Sequence, residues 1–124
     1  MSRARPRVLI ADDHPEVTKA VCRLLALDCE IVGTVADGSA LLESMQRLEP
    51  DVVVLDVNLA GIHGLEACRQ LTEVNPAVKI VAFSAMSEPE LIEALIAAAA
   101  SAFVSKMASA DLVATIRRLC ADRC

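Results

Sequence analysis

Five short, nearly continuous apolar runs punctuate the chain: Arg7–Ala11, Glu30–Val35, Asp51–Leu55, Val78–Phe83 and Ala102–Ser105. The stretch Val52-Val53-Val54-Leu55 has no polar alternation at all. A strand of that kind is covered on both faces, as in a parallel sheet flanked by helices. After each run, apolar residues recur at helical spacing. The sets are Val17, Val21, Leu24 and Leu25; Leu41, Leu42, Met45 and Leu48; Leu65, Cys68, Leu71 and Thr72; Leu91, Ile92, Leu95, Ile96 and Ala99; and Leu112, Val113, Ile116, Leu119 and Cys120. Each predicts a helix with one buried side.

Capping chemistry marks the ends of these elements. Pro15 suits a first helical position with Glu16 beside it. Ser87-Glu88-Pro89-Glu90 reads as a capping box with Ser87 as N-cap, and Ser109 as the cap of the last helix with Asp111 in its first turn. Ala36-Asp37-Gly38 reads as a turn, and Pro50 and Pro76 close the second and third helices. Strict alternation of strand and helix predicts an α/β fold, a doubly wound five-stranded parallel sheet with five helices and right-handed crossovers. The length fits a single domain over residues 1–124, opened by a flexible basic arm at residues 1–6 that carries Arg3 and Arg5, with Arg7 just beyond.

Composition narrows the function classes. Hydrophobic residues make up 55% of the chain, yet Trp and Tyr are absent and only Phe83 and Phe103 are aromatic, so the core must be aliphatic. A formal net charge of −5 argues against direct nucleic-acid binding through a broad basic face. The 5 cysteines (Cys22, Cys29, Cys68, Cys120 and Cys124) are odd in number and lack CxxC spacing, which suggests reduced thiols, with Cys22, Cys68 and Cys120 in the core and Cys124 exposed. The longest apolar stretch, Leu95 to Phe103, is too short to span a bilayer, and no signal-peptide pattern is present. A soluble, cytoplasmic protein is expected, with no membrane partner.

In a doubly wound sheet, ligands bind beyond the carboxyl ends of the strands. Those ends carry Asp12 and Asp13, then Asp56, Ser84 and Lys106. Three carboxylates brought together need compensation. A hard divalent cation such as Mg²⁺, which takes carboxylates, waters and a phosphate oxygen, is the natural partner, and Lys106 and Ser84 suit the remaining phosphate oxygens. These are parts for phosphoryl transfer to a carboxylate nucleophile. His14, beside the two aspartates, is expected to cap a helix or face solvent rather than bind a transition metal. His63 is expected in the loop after Asp56 with no partner.

In order and spacing, Val8-Leu9-Ile10-Ala11-Asp12-Asp13-His14-Pro15, Asp51-Val52-Val53-Val54-Leu55-Asp56, Gly61-Ile62-His63-Gly64-Leu65-Glu66, Ser84-Ala85 and Phe103-Val104-Ser105-Lys106 resemble the receiver domains of two-component response regulators. The Asp-Asp-His-Pro start, and the lack of a proline after Lys106, resemble the LuxR-type subfamily. The resemblance implies a flavodoxin-like fold with strand order 2-1-3-4-5. It implies that Asp56 is the phosphoacceptor and that Mg²⁺ is held by Asp13, Asp56 and the backbone carbonyl of Asn58, with Asp12 acting through a metal-bound water. Ser84 would be the switch hydroxyl, Lys106 the phosphate-pairing lysine and Phe103 the aromatic that changes rotamer on activation. Asn58 and Met86 flank the reaction centre and would tune the lifetime of the phosphoryl group. The implied role is a signalling switch rather than an enzyme with an external substrate, catalysing only its own phosphorylation and dephosphorylation. The implied partners are a sensor histidine kinase as donor and an output domain or downstream protein on the face of helix four, strand five and helix five, with homodimer formation on phosphorylation. LuxR-type proteins often carry a helix-turn-helix output domain, so the chain reads either as a stand-alone receiver or as one domain of such a protein.

The sequence departs from the family at three places. Ala60 stands where proline is usual, and Ala99 and Ala102 stand near usual glycines. Helix four is therefore expected to end differently or run longer, remodelling the output face. Two rival functions follow from the residues. A pseudo-receiver would act as a phosphorylation-independent interaction module. A haloacid-dehalogenase-type phosphatase would need a second carboxylate two residues after the nucleophile, where Asn58 stands.

Overall fold

In the computed structural model, which describes residues 5–121, strands form where the apolar runs predict them. They are β1 (Arg7–Ala11), β2 (Glu30–Val35), β3 (Val52–Asp56), β4 (Lys79–Ser84) and β5 (Ala102–Ser105). All pair in parallel in the order β2-β1-β3-β4-β5. β3 and β4 each lie one residue later than the pattern suggests. Asp51 stands just before β3, its amide donating to the Arg7 carbonyl and its carboxylate accepting from the Arg7 amide. Asp56 and Ser84 join it, opposite Phe83 and Ser105 respectively. Both side chains are thus carried by strand backbone rather than by loops.

Five helices follow the strands: α1 (Pro15–Leu25), α2 (Gly38–Leu48), α3 (Gly64–Val74), α4 (Pro89–Ala97) and α5 (Asp111–Leu119). Alternate strand residues feed two cores. Leu9, Val53, Leu55 and Ile80 pack with α2, α3 and α4 through Leu41, Met45, Cys68, Leu71 and Leu95. Val8, Ile10, Val54 and Val81 pack with α1 and α5 through Val21, Leu25, Leu112 and Ile116. The aliphatic reading of the core holds, with Phe83 as its one fully buried ring. Cys68 and Cys120 are buried as expected, Cys22 is half-buried, and Cys29 is buried as well. Among the described residues no helix is long and apolar enough to cross a membrane.

Several local expectations need correction. Pro89 occupies the first helical position of α4, so the cap falls on Glu88, whose side chain makes no capping bond. Proline is favoured at that position because its missing N–H is not needed there, and this leaves Ser87 one residue outside the helix. Ser109 does not cap α5 either. A 3₁₀ turn (Lys106–Ala108) runs into it through helical Ala110, and Ser109 contributes only its carbonyl, to the amide of Leu112. Asp37 is an N-cap rather than a turn residue, accepting from the Ala40 amide at 2.8 Å. Residues 1–4 of the expected arm, Arg3 among them, and Cys124 lie outside the described residues. Arg5 and Arg7 are not free, since their guanidinium groups donate to the carbonyls of Ala26 and Leu48.

Helix α4 does not run on through its alanines. Ala99 takes φ 88°, the Ala99 amide donates to Ile96 and the Ala100 amide to Leu95, which together form a Schellman stop. The position needs a left-handed residue, so alanine occupies it at a steric cost. Ala102 begins β5 with no positive φ. Ser101 clamps the junction, its amide donating to the Ile80 carbonyl and its hydroxyl accepting from the Ile80 amide. In the loop after β3, Gly61 has φ 87°, and a Cβ on Gly64 would meet the Val57 carbonyl oxygen at 2.9 Å. Gly64 therefore lets α3 close tightly on the backbone just beyond Asp56. Ala99→Gly is expected to raise stability by about 1 kcal/mol in urea unfolding. A loss of stability would contradict the strain assigned to Ala99.

Candidate functional site

The four sequence-distant segments meet at the carboxyl edge of the sheet. Asp12 follows β1, with its amide bonded to the Val35 carbonyl. Asp56 ends β3 and Ser84 ends β4. Lys106 opens the 3₁₀ turn after β5, a turn pinned by the Ser105 hydroxyl accepting from the Met107 amide. The sheet order makes β1 and β4 the neighbours of β3, so the strand carrying Asp56 has acidic residues on one side and Ser84 on the other.

Lys106 ties the edge together. Its Nζ lies 2.9 Å from Asp12 Oδ2 and 3.4 Å from Asp56 Oδ2, and 5.6 Å above the Phe83 ring. The Asp12 and Asp56 carboxylates are only 2% and 3% exposed. Despite this ion pairing, neither Oδ2 atom makes a hydrogen bond of regular geometry. Asp13 is more open, at 32% exposed. The other Asp56 oxygen accepts from the Asn58 amide at 3.0 Å. Ser84 is buried, and its hydroxyl accepts from the Met86 amide at 3.0 Å. Phe103, half-buried on β5, packs against the core on the α4 side.

The two buried carboxylates shift in opposite directions. Burial would raise Asp12, but hydrogen bonds and charge from Lys106 and His14 hold it below the ordinary carboxylate value. Burial pushes Asp56 up, the neighbouring Asp12 adds to this, and the Asn58 amide and Lys106 only partly oppose it. For Asp12, the depressed value means stability that is present above the unfolded pKa and lost as pH falls through the folded one. Asp56 behaves in the opposite sense: its contribution is present in acid and lost as pH rises through the folded pKa, so ionised Asp56 destabilises the neutral-pH fold.

His14 faces solvent as expected but also reaches the carboxylates, whereas Phe83 escaped sequence reasoning. His14 occupies the N-cap position of α1 without capping it. Its Nδ1 instead lies 2.8 Å from Asp12 Oδ1, 3.1 Å from Asp13 Oδ1 and 3.6 Å from Asp56 Oδ2. The Asp12 hydrogen bond and charge raise its pKa. Adjacency to Asp12 and Asp13 was the available signal. Phe83 under Lys106 had none, because the contact joins β4 to the turn after β5. His63, expected without a partner, is the N-cap of α3 and accepts from the Leu65 amide at 3.1 Å.

Asp12, Asp13, His14 and Asp56 each offer a ligand atom, and these atoms all lie within 4.8 Å of one another. With two carboxylates buried and only one ammonium beside them, they fit a small divalent cation. Without such a cation, Asp56→Asn should stabilise the fold at pH 7 by about 1–3 kcal/mol, the range for relieving a buried unsatisfied group. The gain should shrink as pH falls below the Asp56 pKa. Urea titrations in a chelator over a pH series would test this, and an equal or lower stability of the variant at pH 7 would contradict the strain assigned to Asp56.

The chain matches the response regulator receiver domain family over residues 8–117. It is 39% identical over 114 residues to response regulator GacA of Pseudomonas viridiflava, covering 90% of this chain and 53% of that protein. It is 31% identical over 125 residues to the nitrate/nitrite response regulator protein NarL of Escherichia coli (strain K12), covering 98% of this chain and 58% of that one. A two-component response regulator of the LuxR family from Aurantimonas sp. SI85-9A1 superposes with a TM-score of 0.89 at 29% identity, over 94% of this chain and 86% of that chain. The chain thus spans about half the length of the curated relatives it matches. With the sheet order, the acidic edge and these relatives in agreement, the chain belongs to the response regulator receiver domain family, the phosphorylation switch of two-component signalling.

Proposed function

We propose that Asp56 accepts a phosphoryl group from a sensor histidine kinase and that the product shifts the domain toward a signalling conformation. The observation that carries this reading is Lys106 bridging two buried carboxylates whose combined charge one ammonium does not offset. Such a site is built around charge still to arrive.

In the transfer, a carboxylate oxygen of Asp56 attacks phosphorus in line. A P–O bond forms to Asp56 as the P–N bond of the donor phosphohistidine breaks, its electron pair returning to the imidazole. A Mg²⁺ ion on Asp13, Asp56 and the Asn58 backbone carbonyl, with Asp12 reached through a water, would supply charge neutralisation at the transferred oxygens. Asn58 holds one Asp56 oxygen by its amide, which orients the carboxylate. Lys106 pairs with a phosphoryl oxygen as a point charge, its Nζ lying over the Phe83 ring. The Ser84 hydroxyl accepts from Met86, so its own proton is available to the phosphoryl group. Phe103, only half-buried, has room to change rotamer in response. Asn58 and Met86 stand beside the acyl phosphate and tune its lifetime. The only chemistry is on the domain itself, its own phosphorylation and dephosphorylation.

The same reading makes residues 1–124 one receiver unit of a cytoplasmic protein. Its output partner engages α4, β5 and α5, as an attached domain, a downstream protein or a second copy after phosphorylation. Ile96 on α4 and Met107 just beyond β5 are exposed there, which supplies apolar contact area for such a partner.

Incubation with acetyl phosphate should add ~80 Da to the intact mass, only with Mg²⁺ present, and Asp56→Asn should abolish the gain. Labelling of that variant would refute the nucleophile assignment. Lys106→Ala is expected to retain Mg²⁺ binding while slowing phosphoryl transfer by roughly 10²-fold, the range for removing one transition-state charge stabiliser. Transfer at the wild-type rate would remove Lys106 from the mechanism.

A further inference from the structure

His14 is the feature of the acidic edge that phosphoryl transfer does not use. Its ring is 60% exposed, on the water side of the pocket, whereas Lys106 is 16% exposed and lies beneath. The two also approach different atoms of Asp12: His14 approaches Oδ1 at 2.8 Å and Lys106 approaches Oδ2 at 2.9 Å. At Asp56 both approach the same oxygen, Oδ2, at 3.6 Å and 3.4 Å, so a cation held by His14 and Asp56 would lie next to the lysine.

The spacing around Nδ1 is that of a shared coordination sphere. In an octahedron with bonds of about 2.1 Å, adjacent ligand atoms lie about 3.0 Å apart. Nδ1 stands 2.8 Å from Asp12 Oδ1, 3.1 Å from Asp13 Oδ1 and 3.6 Å from Asp56 Oδ2. The last of these oxygens belongs to a carboxylate 3% exposed and is without a hydrogen bond. A cluster of carboxylates alone would suit a hard ion only. An imidazole nitrogen among them changes the preference, because nitrogen donors favour first-row transition ions, with affinity rising from Mn²⁺ through Co²⁺ to Ni²⁺.

We propose that His14 is a nitrogen ligand of this centre, so that the pocket takes Co²⁺- or Ni²⁺-like divalent ions through His14, Asp13 and Asp56 as well as Mg²⁺ through its oxygens. The inference rests on the cation reading of Asp13 and Asp56 given above. The plainer role for His14 is a hydrogen bond from Nδ1–H to Asp12 with no ligation.

Calorimetric titration of the untagged chain with Ni²⁺ and with Mg²⁺ separates the two roles. His14→Ala should weaken Ni²⁺ by roughly tenfold or more and Mg²⁺ by less than about twofold. His14→Gln, which keeps a donor for Asp12, should behave like His14→Ala if the ring is a ligand and like wild type if it only donates a hydrogen bond. His63→Ala, which removes the other of the 2 histidines, should leave both ions unaffected. Bound Co²⁺ should give a hyperfine-shifted, exchangeable Nε2–H proton signal that disappears in His14→Ala. Retention of that signal, or an unchanged Ni²⁺-to-Mg²⁺ affinity ratio, would overturn the proposal while leaving the Mg²⁺ site intact. If Asp13→Asn loses Mg²⁺ but keeps Ni²⁺, the nickel lies elsewhere and the proposal fails alone. If wild type binds neither ion, the underlying cation reading fails with it.

Discussion

Two buried carboxylates share one ammonium group, and much of the molecule is arranged to make that tolerable. Charges taken out of water are stable only when paired and hydrogen-bonded. Here Lys106 reaches Asp12 and Asp56 from the turn after β5, and its ability to do so depends on β1, β3, β4 and β5 lying in the observed order. The compensation is incomplete, since one ammonium faces two buried carboxylates and burial pushes Asp56 above the ordinary carboxylate value. An aliphatic double core holds this edge in place. In the proposed function a cation supplies the missing positive charge, and the phosphoryl group then sits between that cation and Lys106.

The supports of the edge are mostly backbone. Asp56 and Ser84 are ladder residues, so the proposed phosphoacceptor and the hydroxyl of the next strand are set by strand register and not by loop conformation. Gly64 allows α3 to abut Val57, one residue past Asp56. By contrast, the stop of α4 is built under strain. Ala99 adopts a left-handed backbone that glycine would take freely, and Ser101 then fastens the chain to Ile80. A helix end held under local strain on the face proposed for output is a place where a small change in free energy can shift the balance between two conformations.

His14 marks the boundary between shared and individual features of the pocket. The carboxylates and the lysine account for phosphoryl chemistry without it, yet its ring nitrogen stands within ligand distance of three of their oxygens.

The sequence by itself determined the strand–helix alternation, the parallel sheet and the identity of Asp12, Asp13, Asp56, Ser84 and Lys106 as strand-end residues, because burial on both faces leaves an unbroken aliphatic run and helices leave a 3.6-residue period. Those signals are local, and locality also limits them. The Ser87 and Ser109 caps looked sound as motifs but lost to Pro89 and to the continuous turn through Ala110, since cap choice depends on how the chain enters the helix. Strand order came from likeness to a family and not from pattern, since apolar runs do not say which strand lies beside which. The placement of Lys106 over Phe83 and the approach of His14 to Asp56 were decided only by the tertiary structure. Contacts between side chains from different strand ends depend on sheet order, twist and register together, and no short stretch of sequence encodes these.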